Sequence, residues 1–315
     1  MKFHNIILRA LATVLLFGNL GCAHNIVHEH TIADYKQECD RLISKSCNKL
    51  GDIYLKGVDA ERNLNLAKKY YENACDLDNG DSCNTLGEWY LSPRIYHIEG
   101  IQRDPVKAKE LFEIGCKNMH AKSCTNLGRL YLSGKDNAIA DVKFAFGCDL
   151  HDGDGCNMRA YMFSRGLNGP TDLDAARKYK RKAIKSYKAA CAKDDGEECK
   201  KLGYFYFKDQ NYEEAYSYAI SACYLDNSSG CELAGFLAQN KFRFYAEALR
   251  YYGKACALYG EEGCASIGSM YEMGDGIQKD KRMAKAYYKL ACDIVKKGWF
   301  PDYCEKVEEL TDQGY

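Results

Sequence analysis

The 315-residue sequence has little proline, no charge excess of either sign, and few long apolar runs. Lys plus Arg and Asp plus Glu balance at 44 each, so the formal net charge is zero. Nothing in that balance points to nucleic acid or to an anionic membrane surface. Proline occurs only 4 times, beside 27 Gly and 25 Tyr. That mixture fits many helices joined by short turns and argues against a β-sandwich or a disordered tail. Beyond the N-terminal segment, no stretch is long and apolar enough to cross a bilayer. The length is a prior for about two globular domains, but one short pattern recurs from end to end.

Several chemical signatures are missing as well. No C-x-x-C pair is present, so thiol–disulfide exchange has no motif. The K-T-G and S-D-N elements of serine β-lactamases do not occur. One S-x-x-K exists, Ser46-Cys47-Asn48-Lys49. Ser46 falls in the position before a repeated cysteine, shared with Ser82 and Ser123, which gives it a structural reading. His24, His28 and His30 form H-x3-H-x-H, a spacing zinc would accept. No following Asp or His completes a metallo-β-lactamase pattern, and a solvated linker is the simpler reading. His97, His120 and His151 are scattered over expected loops and read as surface residues. No metal site or cofactor is implied.

Cysteine, by contrast, is abundant. There are 17, of which 16 fall into eight local pairs. Seven have the spacing C-x7-C: Cys39-Cys47, Cys75-Cys83, Cys116-Cys124, Cys148-Cys156, Cys191-Cys199, Cys223-Cys231 and Cys256-Cys264. The eighth, Cys292-Cys304, is C-x11-C, and Cys22 is left over. Regular pairing predicts structural disulfides and an oxidising compartment. The N-terminus agrees: Lys2 and Arg9 precede an apolar run from Ala10 to Gly18, then Leu20-Gly21-Cys22-Ala23. Residues 1–22 read as a signal peptide, too short for a stable membrane anchor. Two cleavage readings stay open. Gly21-Cys22 resembles a bacterial lipobox that would lipidate Cys22, although Asn19 stands where Leu is usual; alternatively Gly21-x-Ala23 is a small-x-small site and Cys22 leaves with the signal. Residues 23–30 read as a flexible tether, and 31–315 as one solenoid with capping helices at both ends.

The first cysteines of successive pairs step by 36, 41, 32, 43, 32, 33 and 36 residues, the range of helix-pair repeats. Eight residues before them, from the second pair on, lies Ala67, Ala108, Ala140, Ala183, Ala215, Ala248 or Ala284. Four before lies Tyr71, Phe112, Phe144, Tyr187, Ala219, Tyr252 or Tyr288. Offsets of four share one helix face, so Ala, ring and Cys form the stripe of a helix B. After each second cysteine, offsets 3, 4 and 7 hold Leu50, Gly51 and Tyr54, and their counterparts, which is the pattern of a helix A. Glycine inside a helix costs about 1 kcal/mol against alanine, so its recurrence at offset 4 predicts the close approach of a neighbouring helix backbone, with the Tyr or Phe filling the groove beside it. Between the cysteines, Gly80, Gly153 and Gly196 are expected to take a positive φ, and Asp81, Asp154 and Ser229 to act as N-caps. The long step of 43 is expected to extend its helix B by about two turns. The step of 41 should form a loop around Pro93 to Arg103 before an Asp104-Pro105 helix start. Repeat six departs most, with Ala234 and Ala238 in the Leu and Tyr positions.

The run Ala-Cys, then Cys-x-x-Leu-Gly-x-x-Tyr, then Ala-x-x-x-Tyr resembles the Sel-1-like repeat, a relative of the tetratricopeptide repeat. Clear instances are Cys75 to Tyr90, Cys116 to Tyr131 and Cys256 to Tyr271. With C-x7-C in each repeat, the chain resembles the Helicobacter cysteine-rich protein family, secreted Sel-1-like repeat proteins also catalogued as β-lactamases. The resemblance covers residues 31 to about 310 and implies an all-α, right-handed α/α solenoid of seven helix hairpins. It also implies penicillin binding and weak β-lactam hydrolysis, with no residues to carry over. The expected function is a secreted, periplasmic or envelope-anchored scaffold that binds a peptide or protein, from a host or the cell envelope, on a concave face lined by helix A. The position after each second cysteine supplies the candidate contacts Asn48, Asn84, Thr125 and Asn157. The alternative is an enzyme acting on β-lactams or cell-wall peptides. The Tyr residues at offset 7 read as packing between helices.

Overall fold

A computed structural model describes residues 30–93, 101–295 and 301–315. The signal segment, Cys22, His24, His28 and His97 lie outside them, as does most of the 93–103 loop. Sixteen α-helices and no strand occur among the described residues. The first, α1 (Ile32–Asp40), is a lone helix B capped by Thr31, whose side chain accepts from the Asp34 N–H. Seven A–B hairpins follow: α2 (Ser44–Lys56) with α3 (Leu64–Asp76), α4 (Gly80–Leu91) with α5 (Pro105–Lys117), and α6 (Ala121–Ser133) with α7 (Asn137–Asp149). Next come α8 (Gly153–Arg165) with α9 (Leu173–Cys191), α10 (Gly196–Lys208) with α11 (Tyr212–Tyr224), α12 (Ser228–Leu237) with α13 (Tyr245–Ala257), and α14 (Glu261–Met273) with α15 (Lys281–Ile294). A final helix A, α16 (Asp302–Asp312), closes the stack.

Each helix packs on the next in the chain, and successive A helices also touch. This is an α/α solenoid. Its buried residues form a string of local clusters, for example Leu50, Tyr71 and Trp89 near one end and Ala284, Tyr288 and Leu310 at the other. With so local a core, crosslinks matter more. All eight cysteine pairs are bonded, each joining the end of a helix B to the next helix A. In the chain-entropy account, a closed loop this small contributes about 2 kcal/mol.

The turns beneath the C-x7-C disulfides correct the sequence reading. The positive φ falls three residues after the first cysteine, at Leu42, Asp78, Met119, His151, Asp194, Asp226 and Tyr259. None of these is glycine. In each turn the following N–H reaches back to the helix: Asp78 donates to the Cys75 carbonyl and Asn79 to that of Ala74. This is the Schellman closure. Gly80, Gly153 and Gly196 instead begin helix A. The caps also sit earlier than expected. Asn79, Asp152 and Asn227, not Asp81, Asp154 and Ser229, accept the N–H three residues on.

The offset-4 glycines have a definite neighbour. A Cβ on Gly51 would lie 2.5 Å from the Tyr71 ring, on Gly87 2.5 Å from Phe112, and on Gly128 2.7 Å from Phe144. The glycine therefore admits the helix-B ring four residues before the next cysteine. At Gly203, whose partner position is Ala219, no ring enters; a Cβ there would meet the Leu233 side chain at 3.2 Å and the Ala215 carbonyl and Ala219 nitrogen at 3.3 Å. The offset-7 rings pack between helices: Tyr54 stacks on Tyr70, Tyr206 on Tyr218, and Tyr271 on Tyr287.

The long step and the helix start after the second insertion follow the sequence pattern. Helix α9 spans 19 residues where most helices of the stack span 13. Asp104 caps α5 with Pro105 at its start. In repeat six, α12 runs into a π turn, Ala238–Phe242, at the position of the missing aromatic.

Candidate functional site

Helix A carries the concave features of the later repeats. Three cavities of about 290, 300 and 280 Å³ lie along it. Tyr204 lines both the first and the second, and Glu262 and Ser266 line both the second and the third. They therefore form one groove from Asp154 to Lys306. A separate hollow of about 530 Å³ lies beside the Cys148–Cys156 disulfide, lined by Lys182, Lys185 and Lys193.

The positions facing the groove are one, two and five residues after the second cysteine. At the fifth stand Tyr161, Tyr204 and Phe236 in consecutive repeats, 45%, 38% and 40% exposed. Large rings held partly in water on neighbouring rigid helices are costly unless something covers them.

The four candidate contacts are placed unequally. Asn157 is exposed and lines the first cavity. Asn48 accepts the Ser82 hydroxyl at 2.6 Å from the next helix A. Thr125, 1% exposed, donates to Asp152, the cap of the next helix A. Asn84, 7% exposed, donates to Glu88 and accepts from Asn126. Three of the four thus brace one repeat against its neighbour and do not open onto the groove. The two buried ones, Asn84 and Thr125, have hydrogen-bond partners, as burial demands.

The groove is chemically graded. At the repeat-four end, Asp154 accepts from Tyr187 at 2.7 Å, Arg129 at 2.9 Å and Lys201 at 3.1 Å. Burial alone would raise its pKa. The charges of Lys201 and Arg129 and the Tyr187 hydroxyl outweigh that and hold it down at about 2. Lys201 also donates to Glu198 at 2.7 Å. Lys180 and Lys208 complete a lysine-rich wall.

Toward repeat seven the sign reverses. Glu232 fills the position held by Asn48 and Thr125 in earlier repeats. Its carboxylate reaches the start of α14, where Gly260 has no side chain of its own and the Gly263 N–H donates to it. Burial, then repulsion from Glu261 and Glu262, push its pKa up to about 7. Glu262 is raised for the same reasons.

The S-x-x-K serine is enclosed. Ser46 is 5% exposed and donates to Glu38, while Lys49 is exposed. The hydroxyl thus faces an acceptor on a neighbouring helix. His30 pairs with Glu38 at 2.9 Å, and His120 with Asp81 at 3.0 Å. Among the described residues, no group of three or more His, Cys, Asp or Glu converges as a metal site.

Helix hairpins stacked end to end with a groove along one set of helices define a solenoid repeat protein of the interaction-module class. The chain belongs to the Sel1 repeat family, whose model matches residues 44–79, 81–118, 121–148, 153–193, 199–227, 245–259 and 261–294. Among solved structures, it is similar to a protective antigen of uropathogenic Escherichia coli with an SLR fold, at 18% identity and a TM-score of 0.50 over 90% of this chain. The chain spans 60% of that antigen's length. It is also similar to a Sel1 repeat protein from Oxalobacter formigenes, at 17% identity and a TM-score of 0.46, over 85% of this chain and 94% of that one. At these identities the likeness concerns the fold. No curated protein matches the chain.

Proposed function

We propose that this chain is an envelope or secreted scaffold that binds an extended segment of another protein along the helix-A groove of repeats four to seven. The observation that carries this reading is the continuous groove with Tyr204 and Phe236 open to water at its centre. Sel1 repeats generally serve protein interaction, and the eight disulfides point to an extracellular or periplasmic setting. The segment from 31 to 315 acts as one binding unit, with Asn157 as a polar contact at the groove edge. Asn48, Asn84 and Thr125 support the reading indirectly, by fixing the spacing of the A helices.

The test is selection of a displayed random-peptide library on the oxidised protein, followed by binding to a Tyr204→Ala/Phe236→Ala variant of unchanged helicity. Peptides that bind the parent and lose most affinity for the variant support the reading. Equal binding to both moves the site elsewhere.

The resemblance to the Helicobacter cysteine-rich family rests on the C-x7-C bond in each repeat and brings β-lactam hydrolysis with it as an alternative. Nitrocefin turnover by disulfide-intact protein decides that alternative, which falls if turnover stays at background. The lipid anchor at Cys22 is decided by mass spectrometry of the mature N-terminus.

A further inference from the structure

Within the groove, the stretch between repeats five and seven has an unbalanced chemistry. Glu232, Glu261 and Glu262 stand close enough to repel one another, and burial adds to the cost at Glu232 and Glu262. No lysine or arginine forms an ion pair with them among the described residues. Lys200 is engaged with Glu197 at 2.6 Å, and Lys306 with Glu309 at 2.8 Å and Glu272 at 3.5 Å. Next to the carboxylates, the cavity wall is aromatic: Tyr204, Phe207, Phe236 and Tyr252.

A second feature is independent of the carboxylates. Tyr303, on the closing helix α16, lines the adjoining cavity and is 8% exposed. Its hydroxyl is buried and has no hydrogen-bond partner among the described residues. A buried phenol without a partner is destabilising, because the water it has lost is not replaced. It faces the same negative field, since Glu262, Glu261 and Glu232 add to what burial does and push its pKa up to about 12.

We propose that this part of the groove receives a lysine or arginine side chain of the bound segment, with the ammonium or guanidinium between Glu232 and Glu262, its stem against Tyr204 and Phe236, and Tyr303 accepting one of its hydrogen bonds. This deepens the proposed function and rests on the groove being the binding face. A cation neutralises the repulsion among the carboxylates, and an aromatic face beside it adds cation–π attraction. The Tyr303 oxygen gains the partner it lacks. An acidic segment would meet three like charges here, so this part of the groove disfavours it.

Binding should depend on pH. Glu232 is faced by Lys200 and Tyr204 from α10, Tyr252 from α13, Glu261 and Glu262 from α14, and Tyr303 from α16. Its carboxyl is charged above pH 7 and increasingly neutral below, so affinity for a cation falls as the pH drops from 8 to 6.

The experiment uses the full-length, oxidised protein and fluorescence anisotropy with labelled heptapeptides of alternating leucine and lysine, leucine and glutamine, or leucine and glutamate. At pH 8 the lysine peptide should bind about tenfold or more tightly than the glutamine peptide, equivalent to about 1.4 kcal/mol, and the glutamate peptide most weakly. The Glu232→Gln/Glu262→Gln variant should lose the lysine preference, and Tyr303→Phe should weaken lysine binding without lowering thermal stability. Equal affinity for lysine and glutamine peptides, both abolished by Tyr204→Ala/Phe236→Ala, would overturn the cation site and leave the groove standing. Failure of all three peptides to bind would overturn both.

Discussion

Lys201 on α10 holds Asp154 on α8 at 3.1 Å, so a single ion pair joins the A helices of repeats four and five. Arg129 from repeat three and Tyr187 from α9 meet the same carboxylate. Asp154→Asn should therefore loosen two repeat boundaries and the α8–α9 packing within repeat four at once, and cost about 2 kcal/mol at pH 7. The carboxyl sits at about 2 in the folded chain, below its ordinary value of 3.8. Its contribution is complete above pH 4 and is lost as the pH falls through 2. Urea melts of parent and variant should differ at pH 7 and converge toward pH 2.

Glu232→Gln should act in the opposite sense. The folded carboxyl is raised to about 7 from 4.5, so its burial costs nothing below pH 4.5 and most above pH 7. The variant should match the parent at pH 4 and exceed it by about 1 kcal/mol at pH 8. Thermal melts at the two pH values check this without any ligand.

Two glycines on helices should respond differently to alanine. In Gly128→Ala the new Cβ meets the Phe144 ring at 2.7 Å, and neither the buried ring nor the A–B contact can retreat freely. A loss of about 2 kcal/mol is expected. Gly253, on α13, has nothing within 4 Å of the added carbon. Gly253→Ala should be neutral or stabilise by up to about 1 kcal/mol. Chemical denaturation of both variants gives the comparison.

Removal of one rivet, by Cys116→Ser/Cys124→Ser, should cost about 2 kcal/mol and leave the helices formed. Circular dichroism at low temperature should be unchanged while the melting temperature falls. Loss of helicity at low temperature would mean that the bond creates the hairpins rather than securing them.

Much of the fold was legible because the cysteines index it. Once they are aligned, the Ala, ring, Leu, Gly and Tyr positions fall into register, and even the extended α9 and the Asp104 cap follow from counting. The turns were misread for a physical reason. Their positive-φ position is occupied by Leu42, Met119 and Tyr259 as well as by Asp78 and His151. Two helix ends and a disulfide fix that conformation, so the residue's own preference is not what selects it. The candidate contacts depend on their surroundings in a similar way. Small polar residues after the second cysteine do make hydrogen bonds, but Asn48 and Thr125 make them to the next repeat. The fifth position after the second cysteine, which holds the exposed rings of the groove, reads Asp52, Glu88, Arg129, Tyr161, Tyr204, Phe236 and Ser269 in turn. A search for recurrence passes over a position that changes from acid to base to ring to hydroxyl along the chain.

The seven C-x7-C bonds join residues 8 apart, while successive pairs begin at least 32 residues apart. A chain delivered N-terminus first into an oxidising space therefore presents both thiols of a pair before those of the next pair arrive. Native pairing is then also the order of emergence, and each joint can close behind the advancing chain. Such a protein needs little reshuffling by an isomerase. Lengthening it by duplication adds a new joint without putting the earlier ones at risk.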